Sequence, residues 1–119
     1  MDTKRKEQLL ILKELLKNYG TIANALKQAN ENQVSEILDT VSFFMKSSEY
    51  GSGYETYSLI KYNPEEETVL LETIAGDSEE IYNDDMDWIS ASSLEDIIYE
   101  DLREYEREDV FGEKHSKTK

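Results

Sequence analysis

The chain has 119 residues, 38% of them hydrophobic and 34% charged, with a formal net charge of −14 at pH 7. This length suits one domain with a small core, and eight tyrosines and three phenylalanines argue against disorder. The chain has no cysteine, which excludes disulfides, thiolate metal ligands and a cysteine nucleophile. Its only histidine, His115, lies in a terminal run without apolar residues, so the usual general base is missing as well.

The negative charge is concentrated in one part of the sequence. Residues 1–48 contain seven Lys/Arg and six Asp/Glu, a net charge of +1. Residues 49–113 contain 21 acids and three bases, a net charge of −18, and the last six residues add three lysines. Like charges at this density repel one another and weaken the folded state unless something positive binds them. We therefore expect a basic protein surface as the ligand, and not nucleic acid.

The first predicted elements are helices. Apolar residues recur at helical spacing over residues 9–19, and Gly20 is expected to end this first helix. Thr21 can cap a second helix, and residues 34–45 carry the cleanest amphipathic stripe of the chain. The pattern predicts an N-terminal helical hairpin, or three helices if the run Asn30-Glu31-Asn32 breaks the second helix.

The basic N-terminus followed by leucines has only a superficial likeness to a secretory signal. Lys13 and Glu14 interrupt the apolar run too early, and no small-residue cleavage site follows. No segment of the chain approaches the length of a membrane span. We therefore expect a cytoplasmic protein.

The acidic part begins with residues that favour strands. Residues 54–62 and 68–74 are rich in β-branched and aromatic side chains, and the turn-forming run Asn63-Pro64-Glu65-Glu66-Glu67 separates them. These two segments predict a β-hairpin. A short third strand is expected around residues 86–90.

The last predicted element is a helix. Ser92 and Glu95 are spaced as in a capping box, in which Ser92 bonds forward and Glu95 reaches back to the first turn. Apolar residues continue at helical spacing up to Tyr105, and Gly112 ends the pattern.

Together these segments predict an α+β fold. It comprises an N-terminal helical hairpin, a small antiparallel sheet made of the hairpin and a short third strand, and a C-terminal helix. We expect a single domain over residues 1–113, with a helical part at 1–48 and an acidic part at 54–113. A disordered basic tail is expected at residues 114–119.

Residues 22–26 and 34–38 resemble the anchor positions of a DNA-binding helix-turn-helix, but their spacing is one residue too long and Lys27 replaces the turn glycine. The helix that would read DNA carries Glu36 and Asp39 and no arginine. Contacts to bases and phosphates need positive donors at these positions. We therefore expect no direct nucleic-acid binding.

Three aspartates lie in a predicted loop at residues 82–88, and carboxylate oxygens are the ligands that calcium prefers. A calcium loop also needs a central glycine and a closing glutamate, but Ile89-Ser90 and Asp96 stand at those positions. No nucleophile, phosphate loop or arginine cluster accompanies the carboxylates. The sequence thus predicts no metal, no cofactor and no catalytic residue.

The predicted partner-binding surface joins this loop to exposed acids of the helix that follows it. Because the loop leads directly into the helix, these acids should lie close in space. Tyrosine and tryptophan are favoured at protein interfaces, and seven of the eight tyrosines and the only tryptophan lie in the acidic part. The candidate residues are Tyr82, Asp84, Asp85, Asp87, Trp88, Glu95, Asp96 and Glu100.

In size, acidity and lack of catalytic residues, the chain resembles the phage-encoded DNA-mimic inhibitors of the anti-CRISPR and anti-restriction type. The likeness is compositional, so it assigns no role to any residue. It implies a non-enzymatic inhibitor that binds the basic nucleic-acid-binding surface of a nuclease or another defence enzyme. The alternative is an immunity protein that neutralises a basic nuclease toxin. A second alternative is a structural or regulatory adaptor that forms a homodimer through the helical hairpin.

Overall fold

The computed structural model describes residues 3–45, 48–50, 53–77 and 81–112. Three helices are followed by a four-stranded sheet, a short 3-10 helix and two further helices. The elements are α1 (Thr3–Tyr19), α2 (Ile22–Gln28), α3 (Glu31–Phe43), β1 (Ser48–Tyr50), β2 (Gly53–Asn63), β3 (Thr68–Asp77), β4 (Ile81–Ser90), the 3-10 turn Ala91–Ser93, α4 (Leu94–Asp101) and α5 (Glu104–Phe111). The predicted α+β class is confirmed, whereas the predicted tail lies outside the described residues.

The N-terminal part forms three helices, which is the second of the two arrangements that the sequence left open. Asn30 Oδ1 accepts a hydrogen bond from the backbone N–H of Gln33, and Gln33 Oε1 accepts one from the backbone N–H of Asn30, both at 2.9 Å. This reciprocal capping box begins α3 and separates it from α2.

The predicted boundary between α1 and α2 is confirmed. Gly20 follows the last residue of α1 with a φ of +84°, a backbone conformation that glycine adopts without a steric penalty. Thr21 then caps α2, because its hydroxyl accepts a hydrogen bond from the backbone N–H of Asn24 at 3.0 Å.

The sheet is antiparallel throughout, in the order β1-β2-β3-β4, so β1 and β4 are its edge strands. The predicted hairpin corresponds to β2 and β3, and Asn63 supports its turn by accepting a hydrogen bond from the backbone N–H of Glu65 at 3.0 Å. A β-bulge between Leu59 and Lys61 interrupts the pairing of β2 with β3.

The helices cover only one face of the sheet, which we call the inner face. Side chains alternate between the two faces of a strand. The inner-face side chains that are part of the core or pack on it are Tyr57, Leu59, Tyr62, Val69, Leu71 and Ile89. They meet a core built around Phe44, Leu12, Ile22 and Ile98, all of which are fully buried. Among the described residues, no side chain from the opposite face of β3 or β4 belongs to this core.

The third strand is longer than expected, and the predicted loop at residues 82–88 is wrong. Strand β4 runs from Ile81 to Ser90 and pairs along its length with β3. Aspartate has a low intrinsic preference for strands, but that preference is weak and pairing with a neighbouring strand overrides it. The aspartates also suit an edge strand, because charged side chains there discourage pairing with other chains.

The C-terminal segment forms two short helices, and its predicted capping box is wrong. The Ser92 side chain makes no forward bond to α4, whose start has no side-chain cap. Glu95 bonds to the backbone N–H of Ile22 at 2.6 Å and does not reach back to its own helix. Tyr105, expected on the apolar stripe, is 53% exposed. Gly112 ends α5 as expected, with a φ of +82°.

Candidate partner-binding surface

The helices leave one face of the sheet uncovered, which we call the open face, and two of the candidate residues, Asp84 and Trp88, lie on it. On β3 and β4 it consists of Leu70, Glu72, Ile74, Asp84, Met86 and Trp88. In the register, Leu70 opposes Trp88, Glu72 opposes Met86 and Ile74 opposes Asp84. Met86 is 52% exposed and Trp88 is 48% exposed. Large apolar side chains grouped at the surface in this way mark interaction sites more often than scattered ones do.

Two carboxyl groups lie within this apolar group. Glu72 and Asp84 are diagonal neighbours across the β3–β4 pair, at a distance that side chains of this length can bridge. The hydrogen bond between the two carboxyls raises the pKa of Glu72, and partial desolvation and the negative charge of Asp84 raise it further. A positive charge bound between the two carboxyls would oppose this rise, because it favours the ionised form of both groups.

The other two aspartates of β4 project from the opposite side of the same edge strand. Asp85 opposes Thr73 and Asp87 opposes Leu71 on the inner face, but both side chains are exposed. The Asn83 amide donates a hydrogen bond to Asp85 Oδ2 at 2.7 Å. Strand β4 thus presents carboxylates on both sides of a free edge.

The predicted helix acids lie elsewhere. From Asp84 to Ser90 the chain is extended, so the two ends of this stretch are about 20 Å apart at 3.4 Å per residue. The loop from which the cluster of strand acids and helix acids was predicted is therefore replaced by a strand that places Asp84 far from the start of α4. The Tyr82 side chain lies outside the described residues.

The acids of α4 have neighbours on the N-terminal helices. The Glu95 carboxylate is half-buried and accepts a hydrogen bond from the backbone N–H of Ile22, the first residue of α2. Asp96 lines a groove of about 590 Å³ that also contains Lys13 and Lys17 of α1. Sequence distance concealed these bases, which lie more than 70 residues away along the chain. Glu100 is exposed.

The most buried acid among the described residues is Glu106, which the sequence interpretation did not single out. Its side chain is 1% exposed and forms a two-pronged ion pair with Arg5, with Nη2 to Oε1 at 2.7 Å and Nε to Oε2 at 2.8 Å. The backbone N–H of Arg103 donates a third hydrogen bond at 2.8 Å. A signal was present, because Glu106 lies four residues from both Leu102 and Val110, which are buried.

No metal site or membrane segment emerges from the described parts of the chain. Within them, no three histidine, aspartate or glutamate side chains are placed to hold a metal ion together. None of the helices in those ranges has the length and apolar character needed to cross a membrane.

Comparison with known proteins gives no relative. The chain matches no protein-family model, and no curated protein or solved structure is significantly similar to it.

Proposed function

We propose that this chain is a non-enzymatic inhibitor that binds the basic nucleic-acid-binding surface of a partner protein, in the manner of a DNA mimic. The observation that carries the proposal is the edge strand β4. There, Asp84, Asp85 and Asp87 are exposed beside the exposed Trp88 and Met86.

The lack of internal compensation on β4 supports this proposal. Among the described residues, Glu106, Asp109 and Glu67 take part in ion pairs, whereas the aspartates of β4 form none with a described lysine or arginine. The charge of β4 is therefore available to an external base, whereas part of the charge on the C-terminal helices is already neutralised.

The spacing of the charges gives further support. An antiparallel strand rises about 3.4 Å per residue. The phosphates of one DNA strand advance by about the same 3.4 Å along the helix axis. Asp85 and Asp87 lie on the same side of β4 and are about 7 Å apart along it, so these two carboxylates repeat at twice the axial rise of the phosphates.

An immunity protein against a nuclease toxin is a second candidate, favoured by the exposed aromatic side chain of Trp88 within the acidic surface. An immunity protein would bind one cognate nuclease and block its cleavage of nucleic acid. A nucleic-acid mimic would instead prevent the partner from binding nucleic acid at all. Measuring nucleic-acid binding and cleavage separately in the complex distinguishes the two.

The salt dependence of binding tests the proposal. The full chain is immobilised, basic proteins retained from its host are identified, and the dissociation constant of each is measured at 50 and 300 mM salt. We expect a nucleic-acid-binding protein whose affinity falls at least about tenfold, because exposed charges are screened within about 8 Å at physiological ionic strength. Retention of only neutral or acidic proteins, or affinity that salt leaves unchanged, would refute the proposal.

A further inference from the structure

The open face of the sheet has a chemistry more specific than negative charge. Glu72 lies at its centre, directly opposite Met86 and diagonal to both Asp84 and Trp88. Its neighbours two residues away on β3 are Leu70 and Ile74. Glu72 thus has apolar side chains beside it on β3 and a thioether and an indole near it on β4, while Ser58 lies opposite it and Lys61 diagonal to it on β2.

We propose that this face binds an arginine side chain of the basic partner. The guanidinium donates hydrogen bonds to Glu72 and Asp84, and its plane or the aliphatic stem packs against Trp88 and Met86. The proposal rests on the proposed function, since it specifies which basic group of the partner the surface recognises.

The guanidinium group matches these side chains better than an ammonium group does. It is planar, carries five N–H donors in a fixed fork that fits carboxylates, and stacks on aromatic rings. The aliphatic stem of arginine can pack along apolar side chains such as Met86 while the charged end reaches the carboxylates. Lysine offers a compact and strongly hydrated charge that uses neither the fork nor the indole.

A second copy of this chain is a poorer occupant of the same face. A two-fold pairing of open faces centred on Glu72 would place Glu72 and Asp84 of one copy close to the same two residues of the other. Each copy also carries a net charge of −14, so the acidic parts would repel one another. Like charges directly opposed across an interface cost several kcal/mol.

Trp88 makes the test direct, because it is the only tryptophan and lies within the proposed site. The full chain is titrated at 50 mM salt with a hexa-arginine peptide and, separately, with a hexa-lysine peptide of equal charge, while Trp88 fluorescence is recorded. We expect a saturable change with both peptides and an affinity at least about fivefold higher for hexa-arginine.

Matched variants locate the effect. The double variant Glu72→Gln/Asp84→Asn should lose at least about fivefold of the hexa-arginine affinity and most of the preference over hexa-lysine. The control variant Glu65→Gln/Glu66→Gln removes the same charge from the exposed hairpin turn and should stay within about twofold of the parent. Circular dichroism checks the fold of both, and calorimetric titration of Trp88→Leu should show a similar loss of preference.

Three outcomes would overturn the inference. One is equal affinity for the two peptides, which would indicate only charge screening. Another is an equal loss in the control variant. A third is a Trp88 spectrum that changes with protein concentration in the absence of peptide, which would assign the face to a second copy. If the first or second outcome is found and the chain still binds a basic partner in a salt-dependent way, only this inference fails. If the chain also binds no basic partner, the proposed function fails as well.

Discussion

Replacing Glu106 with alanine is expected to lower the free energy of unfolding by about 3 to 5 kcal/mol, the largest stability effect of any single substitution outside the apolar core. Arg5 is 18% exposed and Glu106 is 1% exposed, so alanine at 106 leaves a mostly buried guanidinium without its partner. The Arg5 guanidinium also lies over the Phe44 ring, 5.4 Å from its centre, which ties this ion pair to the core. The pair is the main polar link between α1 and α5.

A second ion pair between the same helices provides the matched control. Lys13 Nζ and Asp109 Oδ1 are 2.8 Å apart, but the two side chains are 45% and 54% exposed. Exposed pairs contribute about 1 kcal/mol or less, so Asp109→Ala should cost far less than Glu106→Ala. Urea unfolding followed by circular dichroism measures both. Equal losses would contradict the assignment of Arg5–Glu106 as the stabilising clamp.

The same pair predicts how stability depends on pH. The hydrogen bond donated by Arg5 lowers the pKa of Glu106; burial opposes this change, and the backbone hydrogen bond donated by Arg103 reinforces it. Because the folded-state pKa lies below the ordinary value of 4.5, the unfolded chain takes up a proton first as the pH falls. The stabilisation is complete above pH 4.5 and is lost as the pH falls through the folded-state pKa. In Glu106→Gln this contribution to acid sensitivity should be absent.

Reversing Asp84, Asp85 and Asp87 to lysine is expected to weaken partner binding by at least about a hundredfold. The three substitutions change the charge by six units on one exposed strand, and like charges then face the basic partner. Circular dichroism should show a retained fold, because all three side chains are exposed. Titration against the partner measures the affinity.

The matched control reverses Glu7, Glu14 and Glu31, which are also exposed but lie on α1 and α3. This variant changes the net charge by the same amount, so any general electrostatic effect appears in both. Its affinity should stay within about tenfold of the parent. If the helical reversal were the damaging one, α1 and α3 would form the binding face and the assignment to β4 would fail.

Local sequence rules predicted those parts of the fold in which a residue acts on its own neighbours. Gly20, Thr21 and Gly112 ended or began helices as expected, since backbone freedom and capping need only a few adjacent residues. The β-hairpin was predicted for the same reason, from two β-rich segments and the turn between them.

Tertiary contacts decided the parts that the sequence did not predict. Composition suggested a loop at Asp84, Asp85 and Asp87. These residues form a strand instead, because their backbone pairs with that of β3. Glu95 matched a capping box, yet the first amide of α2 competed for its carboxylate. A pattern confined to α4 cannot reveal a donor that lies 73 residues away.

The candidate surface was predicted in part. Trp88 and the three aspartates were singled out from composition, whereas Glu72 was missed because it lies in the neighbouring strand. The sequence of β3 itself indicates that the face of Glu72 is important. Leu70 and Ile74 lie on one side of the strand and Val69 and Leu71 on the other, and a strand that is apolar on both sides is usually covered on both. Only the register of β3 with β4 places Glu72 beside Asp84.

Competition between this chain and nucleic acid for the partner tests the central claim most directly. The partner is bound to a labelled nucleic acid, the chain is added in increasing amounts, and fluorescence anisotropy follows the release of the label. We predict that the chain displaces the labelled nucleic acid completely. The apparent affinity of the chain should fall in proportion as the nucleic-acid concentration is raised, because both ligands occupy one basic surface. A ternary complex, in which the partner holds the chain and the nucleic acid together with neither affinity reduced, would contradict the claim.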